Sequence, residues 1–147
     1  TGDRLQYARG GARWETIVEN AKKYCALSKK YKKLTFNLMP TVNNYNVWYL
    51  NDILNFYHDI SADDLIFNMV HEPKNQSIQY LPEDVKIKIK EKYKGNNNSQ
   101  LQKVISFLDA RAADKLTEFM SVTSQLDKRR KESVDEVFPE FAEVLFG

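Results

Sequence analysis

At 147 residues the chain is long enough for one domain of ordinary size, with a core that needs neither metal nor disulfide. With 42% apolar and 29% charged residues it reads as a soluble globular protein; eight Tyr, eight Phe and two Trp supply bulky core side chains, which excludes disorder throughout. A net charge of +2, from 22 basic and 20 acidic residues, lacks the global basic footprint of a nucleic-acid binder.

Cys25 is the only cysteine, so an internal disulfide is ruled out and a reducing compartment fits. No apolar run approaches the ~20 residues needed to cross a bilayer, and a basic-then-apolar secretory leader is missing. A cytoplasmic setting is expected, with no membrane and no nucleic acid among the partners. The sequence opens on Thr1, as a processed protein or an excised fragment would.

Gly2-Asp3 and Gly10-Gly11 mark an irregular entry. Trp14, Ile17, Val18, Ala21, Cys25 and Ser28 then recur at helical spacing and predict a helix over 13–28, with Glu15 in its first turn and Lys22, Lys23, Lys29 and Lys30 toward its end. Residues 34–39 are too short for a helix and are closed by Pro40, which predicts a strand. The Asn-rich stretch 43–46 opens a second helix through Val47, Leu50, Ile53, Leu54 and Tyr57, ending near Ile60. Residues 64–70 form a second apolar strand, mostly without alternation, as expected where helices cover both faces of a parallel sheet. Strand, helix and strand together make a βαβ unit.

Residues 85–90 alternate apolar and basic, a strand pattern when taken alone. Pro82 followed by Glu83 and Asp84 is a helix start, and Val85, Ile89 and Tyr93 share one helical face, so a helix over 82–94 is favoured. Its lysines, Lys86 to Lys94, spread around the axis as a solvated face. A turn-rich linker follows, with Asn98 or Ser99 as cap. Leu101, Ile105, Leu108, Ala112, Leu116, Phe119 and Met120 then hold helical period to Leu126, a helix of about seven turns. The cluster Lys128 to Lys131 suits its carboxyl end. In the final element, 134–146, Pro139 either interrupts or starts the last helix, and Phe138, Phe141 and Phe146 are core side chains or a partner anchor.

The opening Thr1 to Asn20 resembles the stretch after the fourth barrel strand of radical S-adenosylmethionine (SAM) enzymes of peptide-maturase architecture. There a turn leads into Tyr-x-Arg and a helix in which an aromatic precedes an Ile/Val-x-x-Asn run; Tyr7, Arg9, Trp14, Ile17 and Asn20 occupy those places. Two further pieces are similar: the strand and Asn-rich helix start at 34–46, and the strand 65–70 followed by Pro73 and Leu81-Pro82. The tail, Leu126 to Arg130 with Val137 to Glu140, resembles the ending of small radical-SAM proteins with a shortened auxiliary "twitch" region.

The resemblance implies an α/β fold: half of a partial (βα) barrel with two or three parallel strands and flanking helices at 1–80, plus a helical carboxyl-terminal extension at 81–147, in one compact domain. It implies SAM and a [4Fe-4S] cluster in the intact protein, an amino-terminal half of the same protein as partner, and a substrate that could be a peptide. The cluster needs three thiolates in Cys-x-x-x-Cys-x-x-Cys. Cys25 stands alone, so this chain by itself binds neither cofactor tightly, cannot reductively cleave SAM, and is expected to be inactive.

Ligands of such folds gather at the carboxyl ends of the strands, which selects Asn37, Met39, Thr41, Asn68, His71 and Glu72. Asn37 and Asn68 are expected at equivalent strand positions, each amide either bonding nearby backbone or lining a ligand cavity. Arg9 would pair with the carboxylate of SAM or form a surface salt bridge. No catalytic residue and no metal ligand is assigned. An exposed sheet edge would allow homo-oligomers. The competing reading is a stand-alone helical module that docks an unknown protein through the long helix and the Phe-rich tail.

Overall fold

Helical periodicity dominates the chain, and the computed structural model, which describes residues 1–110 and 112–146, arranges those helices around one small parallel ladder. α1 (Gly2–Ala8) and α2 (Trp14–Lys30) precede the ladder, and α3 (Leu50–Ile60) links its two sides. α4 (Glu83–Lys92), α5 (Ser99–Leu108), α6 (Leu116–Arg130), α7 (Val134–Val137) and α8 (Pro139–Phe146) follow it. The class is α/β, with helix predominant.

The strand segments are β1 (Asn37–Leu38), β2 (Thr41–Val42), β3 (Asp64–Leu65) and β4 (Asn68–Met69). β1 pairs with β3 and β2 with β4, both parallel, and Asn37 opposite Asp64 is in the same register as Thr41 opposite Asn68. They are one ladder split in the middle. Ile66 N–H donates to Leu38 O (2.9 Å), Asn68 N–H to Pro40 O (3.0 Å) and Val70 N–H to Val42 O (3.0 Å), an unbroken series from one side. The return bond at position 40 is lacking because proline has no N–H. Pro40 therefore does not close the first strand, as the sequence pattern predicts; the strand runs through it to Val42.

Side chains alternate across this ladder. Leu38, Val42, Leu65, Phe67 and Met69 join the main core with Leu50, Ile53 and Leu54 of α3 and Leu101, Val104 and Leu108 of α5. Asn37, Met39, Thr41, Asp64 and Asn68 point the other way and are exposed. Helices thus cover one face, where the apolar run of the second strand predicts cover on both.

The same core takes in α1, the loop after β2 and the carboxyl-terminal helices. The Tyr7 ring meets Tyr45 (centroids 5.6 Å apart) and Phe138 (5.3 Å) edge-on, and Tyr45 packs at 4.9 Å from Phe119. Such pairs add about 0.5–1.5 kcal/mol beyond the area they bury. A smaller cluster, Ala21, Cys25, Ile60 and Ala62, ties α2 to the end of α3. Pro139 opens α8, and Phe138 and Phe141 lie in the core, so neither is free to anchor a partner.

Three local expectations are corrected. The glycine-marked entry holds a short helix, α1, whose Gly2 has φ of 55°. The single helix predicted from Gln100 to Leu126 is two, because tertiary bonds and a local bond from Asp114 override periodicity at the break. Lys86 Nζ donates to Ala110 O (3.2 Å), Lys90 pairs with Asp109, Lys115 N–H donates to Tyr80 O (2.9 Å), and Asp114 Oδ1 accepts from Leu116 N–H (2.6 Å). Lys86 is consequently not on a solvated face; only 2% of it is exposed, with Glu83 at 3.7 Å as its carboxylate partner.

Phe119→Ala should lower unfolding free energy by about 3–5 kcal/mol, since it removes a fully buried ring from the aromatic cluster. Val122→Ala, on the outer side of the same helix, should stay within about 0.5 kcal/mol of the parent. Urea unfolding checks both; equal midpoints for the two variants would refute the assigned core.

Candidate functional site

Strand alternation and register decide which candidate residues meet. Thr41 and Asn68 are register partners on the exposed face, so they stand side by side on strands about 4.8 Å apart. Asn37 shares that face but faces Asp64, four residues or roughly 13 Å before Thr41. Asn37 and Asn68 are thus not equivalent, and neither is a buried amide. Met39 lies between Asn37 and Thr41 with 53% of its surface exposed.

His71 follows Val70, whose N–H makes the last ladder bond, and its exposed ring sits edge-on to Phe107 with centroids 5.0 Å apart. Glu72 is exposed beside it. The loop after β2 is shaped by asparagine side chains: Asn43 Oδ1 accepts from Tyr45 N–H (3.0 Å), Asn46 Oδ1 from Asn43 N–H (2.9 Å), and Asn46 Nδ2 donates to Thr41 O (2.8 Å). This rigid turn fixes the backbone at Thr41.

Arg9 is not brought to this face by any hydrogen bond or ion pair among the described residues. It forms the carboxyl cap of α1, exposed, with its N–H donating to Leu5 O. Arg130 and Arg4 are the arginines this region engages. Arg130 Nη1 donates to Tyr7 O (2.8 Å), and a Cβ at Gly10 would stand 3.0 Å from its guanidinium, so glycine there lets the arginine approach. Arg4 pairs with Asp52 and lies 4.0 Å from the Tyr49 ring centroid.

The two edges of the ladder differ. Beside β3 and β4, Phe67 N–H is closed by Gln100 Oε1 (3.2 Å) from α5. The outer edge of β1 and β2 pairs with no further strand among the described residues. Along α2 and the segment that leads to β1, Tyr24 (57% exposed), Leu27, Tyr31 and Leu34 leave apolar side chains open, with Tyr24 stacked on Phe36.

A cluster site does not fit this chain. Cys25 is buried, burial pushes its thiol above the usual range, and no group of three or more His, Cys, Asp or Glu suited to a metal ion occurs among the described residues. The open face offers the neutral hydrogen-bonding groups Thr41, Asn68 and Asn37, together with the carboxylate of Asp64 opposite Asn37. No helix of the described residues is long and apolar enough to cross a membrane.

A polar network beneath the aromatic cluster escaped the sequence reading. Tyr7 O–H donates to Asp127 Oδ1 (2.6 Å), Val134 N–H to Asp127 Oδ2 (3.0 Å), and Tyr45 and Thr123 share a buried hydroxyl bond of 2.9 Å. Tyr7 and Asp127 are 120 positions apart, so no local signal could link them. The chain matches no family model, no curated protein and no solved structure.

Burial is the chief cause that raises Tyr7, Tyr45, Tyr49 and Tyr93 above the ordinary tyrosine value of 10.0, with the Asp127 bond adding to it at Tyr7. The folded chain holds these protons where the unfolded chain would release them. Their contribution to stability is therefore complete below pH 10 and is lost as pH climbs above it. Unfolding midpoints should fall across that alkaline range, and less steeply in Tyr7→Phe, which should itself cost about 1–3 kcal/mol near neutrality. A midpoint level through pH ~11, above the reference tyrosine range, would contradict this.

Proposed function

We propose that this chain forms the carboxyl-terminal wall of the SAM and substrate cavity of a radical SAM enzyme, as half of a partial (βα) barrel. One observation carries the reading: a parallel βαβ ladder keeps its helices on one face and exposes polar strand residues, Thr41, Asn68 and Asn37, on the other. A barrel wall has this asymmetry, with helices outside and strand side chains lining the interior. The order of residues similar to that family, Tyr7, Arg9, Trp14, Ile17 and Asn20 and then the two strands, agrees with it.

The bare edge of β1 and β2 and the exposed apolar side chains Tyr24, Leu27, Tyr31 and Leu34 are where the cluster-bearing half would add its strands and helices. That half is the partner in this reading. It would supply the iron–sulfur cluster, for which this chain has no ligand set, and the chain alone has no radical activity. Thr41 and Asn68 would orient SAM or substrate by neutral hydrogen bonds, and His71 would stand at the rim.

The competing docking module is less favoured, because Phe138 and Phe141 are buried and the long helix is broken. In the intact enzyme, Thr41→Ala with Asn68→Ala should slow SAM cleavage about tenfold or more at unchanged iron content, the effect of losing one or two hydrogen bonds. Lys103→Ala, on the exposed side of α5, is the control. Wild-type turnover in the double variant, or a reading frame upstream of Thr1 without Cys-x-x-x-Cys-x-x-Cys, would overturn the proposal.

A further inference from the structure

The carbonyls of Phe36, Leu38, Pro40 and Val42 accept from the second strand, so by alternation the N–H and C=O groups of Asn37, Met39 and Thr41 point to the outer edge of the ladder. Thr41 O is taken by Asn46 Nδ2 (2.8 Å), which leaves three donors and two acceptors facing outward. Proline commonly blunts an edge strand by removing an outward donor. Pro40 does the opposite, because its nitrogen faces the second strand and the outer edge loses nothing. The side chains along this edge, Asn37, Met39 and Thr41, carry no charge that would repel a further strand.

The segment that leads into the edge is strongly basic. Six of the 22 basic residues and none of the 20 acidic ones fall in residues 22–33, so this segment carries +6 against −4 for the rest of the chain. Lys22, Lys23, Lys29, Lys30, Lys32 and Lys33 are all exposed. Lys23 pairs with Glu19 (2.6 Å), and the other five form no ion pair among the described residues. The segment abuts the start of β1: the Tyr24 ring stacks on Phe36 (centroids 5.7 Å apart), the residue before Asn37, and Lys32 and Lys33 lie just upstream of it.

These two features define one occupant. Charge of a single sign asks for the opposite sign on whatever docks. Outward main-chain donors and acceptors at alternate residues ask for another extended main chain, which neither a lipid headgroup nor a nucleic-acid backbone supplies. A second copy laid alongside in parallel register would set these lysines against their equivalents. We propose that the edge at Asn37, Met39 and Thr41 binds an extended acidic polypeptide segment, which adds a strand through main-chain hydrogen bonds and pairs its carboxylates with Lys32 and Lys33. In the reading above, that segment belongs to the amino-terminal half; the demand for an acidic strand follows from the edge and its lysines alone.

A short synthetic peptide alternating glutamate and valine, titrated into the whole isotope-labelled chain, should slow amide exchange at Asn37, Met39 and Thr41. It should bind about tenfold more weakly in ~0.5 M NaCl than at low salt. Lys32→Glu with Lys33→Glu should weaken it about tenfold and leave the melting temperature in place, since both side chains are exposed. Equal binding of a lysine and valine counterpart, or protection only at residues away from 37–41, would overturn the proposal. Tighter binding of oligothymidylate or of phosphatidylserine vesicles than of the peptide would also overturn it, as would edge protection that appears only with concentration-dependent dimerisation. A reading frame upstream of Thr1 without the cysteine motif would end the radical SAM reading and leave this one standing, because the titration uses neither SAM nor the upstream half.

Discussion

A single parallel ladder, six residues long on each side and interrupted by one proline, constrains everything around it. Parallel strands need a crossover, and α3 provides it on one face only, so the fold has a covered side and an open side from the start. Two strands cannot bury enough surface to stand alone, and Pro40 removes one of their few bonds. The ladder persists because its inward residues, Val42, Leu65 and Phe67, are locked into a core shared with α3 and α5. Its geometry is thus imposed from one side, and the side chains on the other are free of packing duties.

That division explains what the sequence could and could not reveal. Helices α2, α3 and α4 and the Asn98 cap were legible because period 3.6, dipole-matched charges and capping side chains are local. Both strands were legible from their apolar runs and bounding turns. Register was not, since it depends on which residues face each other across α3, and with it went the presumed equivalence of Asn37 and Asn68. Both amides have apolar neighbours in sequence, yet neighbours in a strand point to opposite faces.

The broken helix is the complementary case. Between Leu108 and Leu116 the apolar period never fails, so periodicity alone predicts continuity. Long-range bonds accompany the break, among them that of the buried Lys86, whose ammonium donates to the Ala110 carbonyl just beyond the end of α5. A lysine in an alternating apolar and basic stretch gives no local sign that it will be the one drawn inside. Breaking such an interaction on one side leaves an uncompensated buried charge, which makes it a strong determinant of how the carboxyl-terminal helices turn back.

Their return determines what the open face can do. α6, α7 and α8 carry Phe119, Thr123, Asp127, Phe138 and Phe141 against Tyr7, Tyr45 and Tyr49, so the first helix, the loop after Thr41 and the last three helices share one aromatic core. Because the Thr41 loop is held from behind by that core and in front by its own asparagine turns, Thr41 and Asn68 are presented on a fixed backbone. A polar pair placed that firmly on an exposed face is suited to meet a ligand. Arg9, left at the end of α1 and outside the core, lacks that support, which is why the ladder pair and not the arginine is the centre of the candidate site.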